Sequence, residues 1–377
     1  MINERISKLR KMMAKRNIDA YIVPSSDPHQ SEYLADYYKT REFITGFTGS
    51  AGTAVITTKK SGLWTDGRYF IQAAKELAVG EVELYKTGLP ESISIEEFLL
   101  QEFPNRGKIA FDGNNTSVAE YENLIKKLPN FEFITDVDYV GEIWNEEGRP
   151  ASPDSKVYIF DEKYAGESTS DRLARLRAMM KDRGIDYHFI GSLDDIAYVL
   201  NIRANDVQCN PVVISYLLVS DKACNLYIDK SKLSEEVANY LKENNVSIKP
   251  YEVIGRDVSD IEARKTLYLE PRKTNVAVYS SIARGVNIVT GTNLTSLMKC
   301  HKNEIEIKNT KNAYIKDGVA LVRFLNWLET GIPTGTITEM IAAEKLLEFR
   351  KQQDLFIEDS FESISAYGAN ASMPHYK

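Results

Sequence analysis

The side chain best suited to chemistry in this sequence is His375, which lies near the end of the segment 359–377. The segment holds an apolar run and a glycine turn, and the histidine follows between Pro374 and Tyr376. Because imidazole titrates near neutral pH, a histidine that a strand carries into a pocket can bind a substrate or exchange a proton with it. Such a strand needs a partner, and none follows in the 377 residues. We therefore expect this chain to be the first part of a longer enzyme.

A second group of chemically capable residues is the run 64–69, with the sequence W-T-D-G-R-Y. A tryptophan at the end of a strand (Trp64) and an arginine just past a turn (Arg68) could form a rim that binds a peptide carboxylate or carbonyl group. The alternative is an ordinary turn in which Asp66 caps the helix that begins at Tyr69. From these residues alone we favour the turn.

The remaining candidate patterns favour structural roles. The glycine-rich run 46–52 could suggest a phosphate loop, but a β-branched strand follows it where a phosphate loop needs a helix, so we interpret it as turn glycines. Asp27 and His29 offer too few ligands for a metal site, and we expect a solvated turn there. His188 is expected to be half-buried at the edge of a strand, and His301 is expected to mark a domain boundary. No nucleophile elbow supports a Ser/His/Asp triad.

Composition narrows the class of protein. Of 377 residues, 43% are hydrophobic and 27% are charged, which is ordinary for a soluble protein of two or three domains. The net charge of −7, without a basic cluster, argues against nucleic-acid binding. No apolar run approaches the roughly 18–20 residues that span a membrane, and residues 1–5 do not begin a secretory signal. Three widely spaced cysteines fit neither a disulfide framework nor a zinc site, so we expect a cytoplasmic protein.

The N-terminal helix pattern occurs twice in the sequence. Eight residues of the first copy recur at one constant offset in the second copy, which begins at Arg172: Arg5, Leu9, Arg10, Met12, Met13, Arg16, Ile18 and Asp19. A strand and a Ser-x-Asp turn follow each copy. This register match through helix, strand and turn predicts the duplication of an α/β domain.

Strands alternate with helices through both copies, which predicts mixed or parallel sheets with helices packed on them. We place the domain boundaries at 1–153, 154–302 and 303–377, with a linker rich in Gly, Pro and charge at 144–155. The β-branched run Val276 to Tyr279 is predicted to be a strand of the second domain.

The third unit is predicted to begin with a helix that Asn303 caps, with Glu306 completing a capping box. Gly331 ends this helix, and Thr338 caps a second one. Strands are expected at 355–357 and 364–366. Two helices and two strands would leave a large apolar face uncovered.

Seven phrases of this sequence, in order along the whole chain, resemble the three-domain cytosolic Xaa-Pro aminopeptidases (aminopeptidase P). They are H-Q-S-E-Y from His29, G-F-T-G-S-A-G-T-A from Gly46, W-T-D-G-R-Y-F-I-Q-A from Trp64, N-P-V from Asn210, F-R-K-Q-Q from Phe349, S-F-E-S-I-S from Ser360 and P-H-Y from Pro374. Each phrase alone is common, but their combination is highly specific.

The resemblance implies a fold and an activity. The fold would be two creatinase-like N-terminal α/β domains followed by a pita-bread catalytic domain. The activity would be removal of the first residue from proline-containing peptides in which proline is second, by a homodimer. Two Mn²⁺ ions would share a bridging water and be held by two Asp, one His and two Glu, a hard ligand set that suits Mn²⁺. In the family these ligands follow the H-Y phrase, so they are expected beyond Lys377, and this chain alone is expected to bind no catalytic metal and to be inactive.

The same resemblance implies roles for individual residues. His375 would hydrogen-bond the substrate or shuttle its proton, and Phe361 would form an apolar pocket wall. Trp64, Asp66 and Arg68 would lie near the substrate entrance of the same or the partner subunit.

Two alternatives stay open. A hydrolase of the prolidase or creatinase type would share the fold, although the duplicated N-terminal domain favours the aminopeptidase. A non-catalytic pita-bread protein that binds peptides would lack the acidic ligand set altogether.

Overall fold

The computed structural model describes residues 1–376, and its first α/β domain is a six-stranded sheet flanked by helices. The strands are β1 (Ala20–Pro24), β2 (Thr53–Thr57), β3 (Ser61–Thr65), β4 (Val82–Lys86), β5 (Lys108–Ala110) and β6 (Glu132–Ile134). The helices are α1 (Ile2–Lys15), α2 (Thr40–Thr45), α3 (Phe70–Glu76), α4 (Ile95–Glu102), α5 (Val118–Lys127) and α6 (Tyr139–Glu146). The apolar stripe of α1 explains its packing, since Ile6, Leu9 and Met13 are buried in the core beside the sheet.

The second α/β domain repeats this plan. Its strands are β7 (Tyr158–Ile159), β8 (Tyr187–Ile190), β9 (Ile202–Arg203), β10 (Ser215–Ser220), β11 (Cys224–Ile228), β12 (Ser247–Lys249), β13 (Thr266–Leu269) and β14 (Asn287–Thr290). Its helices are α7 (Glu162–Ala165), α8 (Thr169–Asp182), α9 (Leu193–Leu200), α10 (Glu235–Glu243), α11 (Ile254–Ser259), α12 (Val276–Ser281) and α13 (Leu294–Cys300). Strands β7 and β9 form a separate antiparallel pair.

The two large sheets have the same topology. Their strand orders are β4-β3-β2-β1-β5-β6 and β12-β11-β10-β8-β13-β14. In each large sheet the strand that comes first along the chain, β1 or β8, pairs antiparallel with one neighbour and parallel with the other. The repeated aspartates also act alike, because Asp19 and Asp186 each accept a backbone N–H at 2.8 Å, from Lys108 and Thr266 respectively. The predicted α/β fold with mixed sheets and a duplicated domain is confirmed.

One predicted strand of the second domain is wrong. Residues 276–279 form the start of helix α12 instead of a strand. The Asn275 side chain caps this helix by accepting the N–H of Val278 at 2.9 Å. A cap and a tertiary position equivalent to that of α5 outweigh the β-branched composition, which is only a weak local preference.

The third unit consists of α14 (Glu304–Gly331) and α15 (Glu339–Lys351), which pack against each other. The capping box between Asn303 and Glu306 and the cap at Thr338 are both present, as predicted. Although α14 has 28 residues, no helix in residues 1–376 is long and apolar enough to cross a membrane.

The strands predicted at 355–357 and 364–366 are wrong, since both segments are irregular. A strand is stable only with a partner, and neither segment pairs with one within residues 1–376. The predicted apolar face is present, and it includes Val322, Leu325 and Met340, whose side chains are largely exposed.

The solvated turn predicted at Asp27 and His29 is also wrong, because both residues are only 1% exposed. They lie where the two α/β domains meet. The His29 ring bonds with the carbonyl of Gly191 through Nδ1 and with the hydroxyl of Tyr251 through Nε2, both at 2.9 Å. A buried imidazole with both nitrogens bonded joins the domains, and its pKa is lowered mainly by burial.

The buried side chain of His188 should make the protein less stable in acid. This residue of β8 is fully buried, more so than the half-buried position expected, and Leu294 N–H donates to its Nε2 at 3.2 Å. Burial lowers its pKa from 6.5 to about 4. The unfolded chain therefore binds more protons between these values, so stability is complete above about pH 6.5 and falls by about 3 kcal/mol as the pH drops to about 4. Urea unfolding followed at pH 7 and pH 5 should show about 2 kcal/mol of this loss.

The matched variant is His188→Gln, which keeps an acceptor for Leu294 but does not titrate. Its unfolding free energy should depend less on pH than that of the wild-type protein. The remaining dependence includes His29, whose pKa shifts in the same direction. Equal slopes for the two proteins would contradict the prediction.

Candidate functional site

The structure places His375 against the first domain. The histidine follows a 3₁₀ turn, Gly368–Ser372, and its ring is half-buried. Its centroid lies 5.4 Å from that of the Tyr69 ring, with an interplanar angle of 34°. The two sequence segments that could do chemistry, the histidine near the C-terminal end and the run 64–69, therefore meet.

Asp66 and Arg68 form a bidentate ion pair beside this contact. The Arg68 Nε and Nη2 donate to the two carboxylate oxygens of Asp66, each at 2.8 Å, and the Arg68 backbone N–H donates to Asp66 Oδ1 at 3.1 Å. These bonds from Arg68 lower the pKa of Asp66, and His375 adds to the effect. Two of the N–H groups of the Arg68 guanidinium are thus already bound to a carboxylate, which weakens the attraction of Arg68 for the carboxylate of a ligand.

Trp64 lies in the core of the first domain and not on an exposed rim. Its side chain is buried and stacks on the ring of Tyr85 at 4.1 Å, and its Nε1 donates to the carbonyl of Ile93 at 2.8 Å. The indole therefore supports strand β3, which Asp66 and Arg68 follow in a turn, and its effect on a ligand at the surface would be indirect.

The glycine-rich run 46–52 holds Tyr69 in place. The Tyr69 hydroxyl lies 2.6 Å from Ser50 Oγ, and a Cβ at Gly49 would come within 2.7 Å of the Tyr69 ring. The guanidinium of Arg41, itself buried, donates to the carbonyl of Gly49. The interpretation as turn glycines is confirmed, since strand β2 follows the run. Sequence reasoning missed Tyr69 as a site residue, and its only signal was its place beside Arg68.

On the other side, Glu339 holds the segment that carries His375. Its carboxylate accepts the backbone N–H of Tyr367 at 2.5 Å, the Asn370 amide at 3.1 Å and the Tyr376 hydroxyl at 2.9 Å. These bonds lower the pKa of Glu339, and the Tyr367 N–H contributes most. The loop that carries the histidine is thus bound to a carboxylate of α15, while the histidine ring itself contacts Tyr69 of the first domain.

Phe361 does not join this group. Its side chain is 60% exposed, and it makes no ring contact with His375 or Tyr69 within residues 1–376. The adjacent Glu362 accepts a hydrogen bond from Gln208 of the second domain at 3.0 Å. A pocket wall at Phe361 would need partners other than those that surround His375 here.

The described residues do not fit a metal centre. No group of three or more His, Cys, Asp or Glu side chains in residues 1–376 could hold a metal ion. Asp66 is already paired with Arg68, and Glu339 already accepts four donor contacts. A dinuclear site cannot be assembled from these side chains, so no catalytic step through a metal follows from them.

Two family models match the two α/β domains. Both describe a creatinase/prolidase N-terminal domain, and they match residues 5–141 and 148–306. Together they cover both large sheets, in agreement with the duplicated topology.

Relatives match over the whole chain. Aminopeptidase P2 of Arabidopsis thaliana and Xaa-Pro aminopeptidase 1 of Dictyostelium discoideum are each 35% identical over 100% of this chain, which spans 58% and 62% of their respective lengths. The structure of X-prolyl aminopeptidase from Caenorhabditis elegans, described as a cytosolic enzyme with a di-nuclear active site, is 34% identical and superposes with a TM-score of 0.94. This chain is covered completely and spans 64% of the nematode chain. The chain therefore belongs to the Xaa-Pro aminopeptidase (aminopeptidase P) family of creatinase/prolidase proteins.

Proposed function

We propose that the full-length protein is a metal-dependent Xaa-Pro aminopeptidase, which removes the first residue of peptides that have proline in the second position. The observation that carries this proposal is the likeness to the nematode X-prolyl aminopeptidase along the entire chain, with a TM-score of 0.94. The position of His375 supports it, because its half-buried ring lies on the first domain beside Tyr69, next to the paired Asp66 and Arg68.

The site residues are proposed to act as follows. His375 binds the substrate by a hydrogen bond or moves its proton, a role that suits an imidazole that is half-buried and so reachable from solvent. Asp66 and Arg68 line the entrance, where their pairing keeps the rim close to neutral. Trp64 supports this rim from the core, and Phe361 is proposed to form an apolar wall of the pocket.

The metal and the assembly are part of the same proposal. Two Mn²⁺ ions are proposed for the full-length enzyme, with ligands from residues outside 1–377, because residues 1–376 offer no ligand group. When bound, such ions polarise a carbonyl group and lower the pKa of a bound water.

The exposed apolar face of α14 and α15 supports packing of further chain of the full-length protein against these helices. A cytoplasmic homodimer is proposed as well.

A peptide assay of the full-length protein tests the activity. We expect turnover of an Xaa-Pro-Yaa tripeptide with Mn²⁺ present, and little turnover of an Xaa-Pro dipeptide. The 377-residue chain alone is expected to show neither turnover nor stoichiometric Mn²⁺ uptake in a calorimetric titration.

Other results of these assays would indicate a different function or a different location of the metal ligands. Preference for the dipeptide would indicate a prolidase. Peptide binding without any turnover by the full-length protein would indicate a non-catalytic binding protein. Turnover or stoichiometric Mn²⁺ uptake by the 377-residue chain would overturn the proposed location of the metal ligands.

A further inference from the structure

The loop that carries His375 is fixed at both of its ends by one side chain. Tyr367 begins this loop and Tyr376 ends it, and both donate to the carboxylate of Glu339, through the backbone N–H and the hydroxyl respectively. Between them, Asn370 Nδ2 lies 3.1 Å from each carboxylate oxygen and 3.0 Å from the Tyr376 hydroxyl. A single carboxylate therefore closes the loop.

Glu339 is itself held rigidly. It is the first residue of α15, where a carboxylate is favoured by the helix dipole and by the free backbone N–H groups. The helix is tied to α14 by Arg350, whose Nε donates to Asp317 at 2.8 Å. The carboxylate is thus a fixed point on two packed helices, while the loop has no regular secondary structure beyond one 3₁₀ turn.

We propose that Glu339 is the positioning residue for His375. Its carboxylate binds both ends of the loop 367–376, including Tyr376, the residue next to the histidine. This keeps the imidazole against Tyr69 of the first domain. The proposal deepens the proposed peptidase function, on which its catalytic consequence rests, but the placement of the imidazole is a property of this chain alone.

Four variants of the full-length protein test the catalytic consequence. Glu339→Ala removes the acceptor for all the donors of the loop, and Glu339→Gln leaves only one oxygen and adds an amide that faces other donors. Thr338→Ala removes the cap of the same helix, where the threonine hydroxyl accepts the N–H of Ile341 at 3.2 Å, without touching the loop. Glu344→Gln makes the same chemical change at an exposed position of α15.

We expect Glu339→Ala to lower kcat by about 10²-fold, as a displacement of about 1 Å in a reacting group does, with KM changed by less than about twofold. Glu339→Gln should lose less than the alanine variant. Thr338→Ala and Glu344→Gln should keep the wild-type kcat. An equal loss of kcat in Thr338→Ala would show that Glu339 matters only for the helix, and would overturn the proposal.

A second measurement does not depend on activity. In the 377-residue chain with labelled histidine rings, NMR should detect a nuclear Overhauser contact between His375 and the Tyr69 ring. The contact should persist in Glu344→Gln and disappear in Glu339→Ala. Its persistence in Glu339→Ala would overturn the proposal, whereas absent turnover in the wild-type full-length protein would count only against the peptidase function.

Discussion

The His375→Ala variant of the full-length protein is expected to cleave a Xaa-Pro tripeptide about 10²–10⁴-fold more slowly than the wild-type protein, the range that one acid–base or hydrogen-bonding group contributes. The side chain is half-buried, and within residues 1–376 its ring contact is with Tyr69. Its removal should therefore leave the free energy of unfolding within about 0.5 kcal/mol of the wild-type value. Steady-state kinetics together with urea unfolding measure both quantities.

The glutamine variant separates the two roles proposed for this histidine. His375→Gln keeps a hydrogen-bonding side chain but cannot transfer a proton at neutral pH. If it retains most of the activity that the alanine variant loses, the histidine binds substrate; if both variants are equally slow, it moves a proton. His301→Ala is the matched control, since it removes an exposed imidazole outside the site. Full activity of His375→Ala would contradict the assignment.

Much of the fold could be predicted because its signals are local. The apolar stripe of α1, the apolar run of β1 and the capping box at Asn303 each lie within a few neighbouring residues. The duplication was visible in part because repeated apolar residues, such as Leu9 with Leu176 and Met13 with Met180, are buried in the core of both copies. The predicted strand at 276–279 failed because Asn275 caps a helix there, an effect that strand propensity does not include.

The candidate site could be predicted only in parts. His375 and Arg68 each stood out by type and by neighbours, but no local pattern indicates that the two segments meet at Tyr69. The hydrogen bonds of Glu339 to the loop could not be predicted for the same reason, since in the sequence Glu339 is an ordinary acidic residue in the first turn of a helix. Conversely, the burial of Trp64 could not be predicted, because the sequence does not show which face of a strand is covered.

Arg172 carries the largest expected effect on stability. It occupies the place in α8 that Arg5 has in α1, but only 1% of its side chain is exposed. Its guanidinium donates to the carbonyl of Tyr198, to Asn201 Oδ1 at 2.6 Å and to the carbonyl of Ala165 at 3.0 Å. It therefore ties the ends of α7 and α9 to α8.

The same arginine joins the second domain to the third unit. Its Nη2 lies 3.7 Å from a carboxylate oxygen of Glu306 near the start of α14. Asn303, the cap of that helix, donates to the carbonyl of Ala165, which Arg172 also contacts. Loss of the guanidinium would thus loosen the start of the helix against which α15, and with it Glu339, is packed.

We expect Arg172→Met to lower the free energy of unfolding by about 3–5 kcal/mol, because it removes three buried, charge-assisted hydrogen bonds and leaves Asn201 Oδ1 without its donor while filling a similar volume. Arg175→Met is the matched control. Arg175 is 41% exposed and lies 2.6 Å from Glu167, which also lies 3.4 Å from Arg172 Nε, so the loss of Arg175 should cost no more than about 1 kcal/mol. Urea unfolding gives the two values, and hydrogen exchange should show faster exchange in α9 and at the start of α14 only for Arg172→Met. Equal stabilities of the two variants would mean that the buried guanidinium does not hold these elements together.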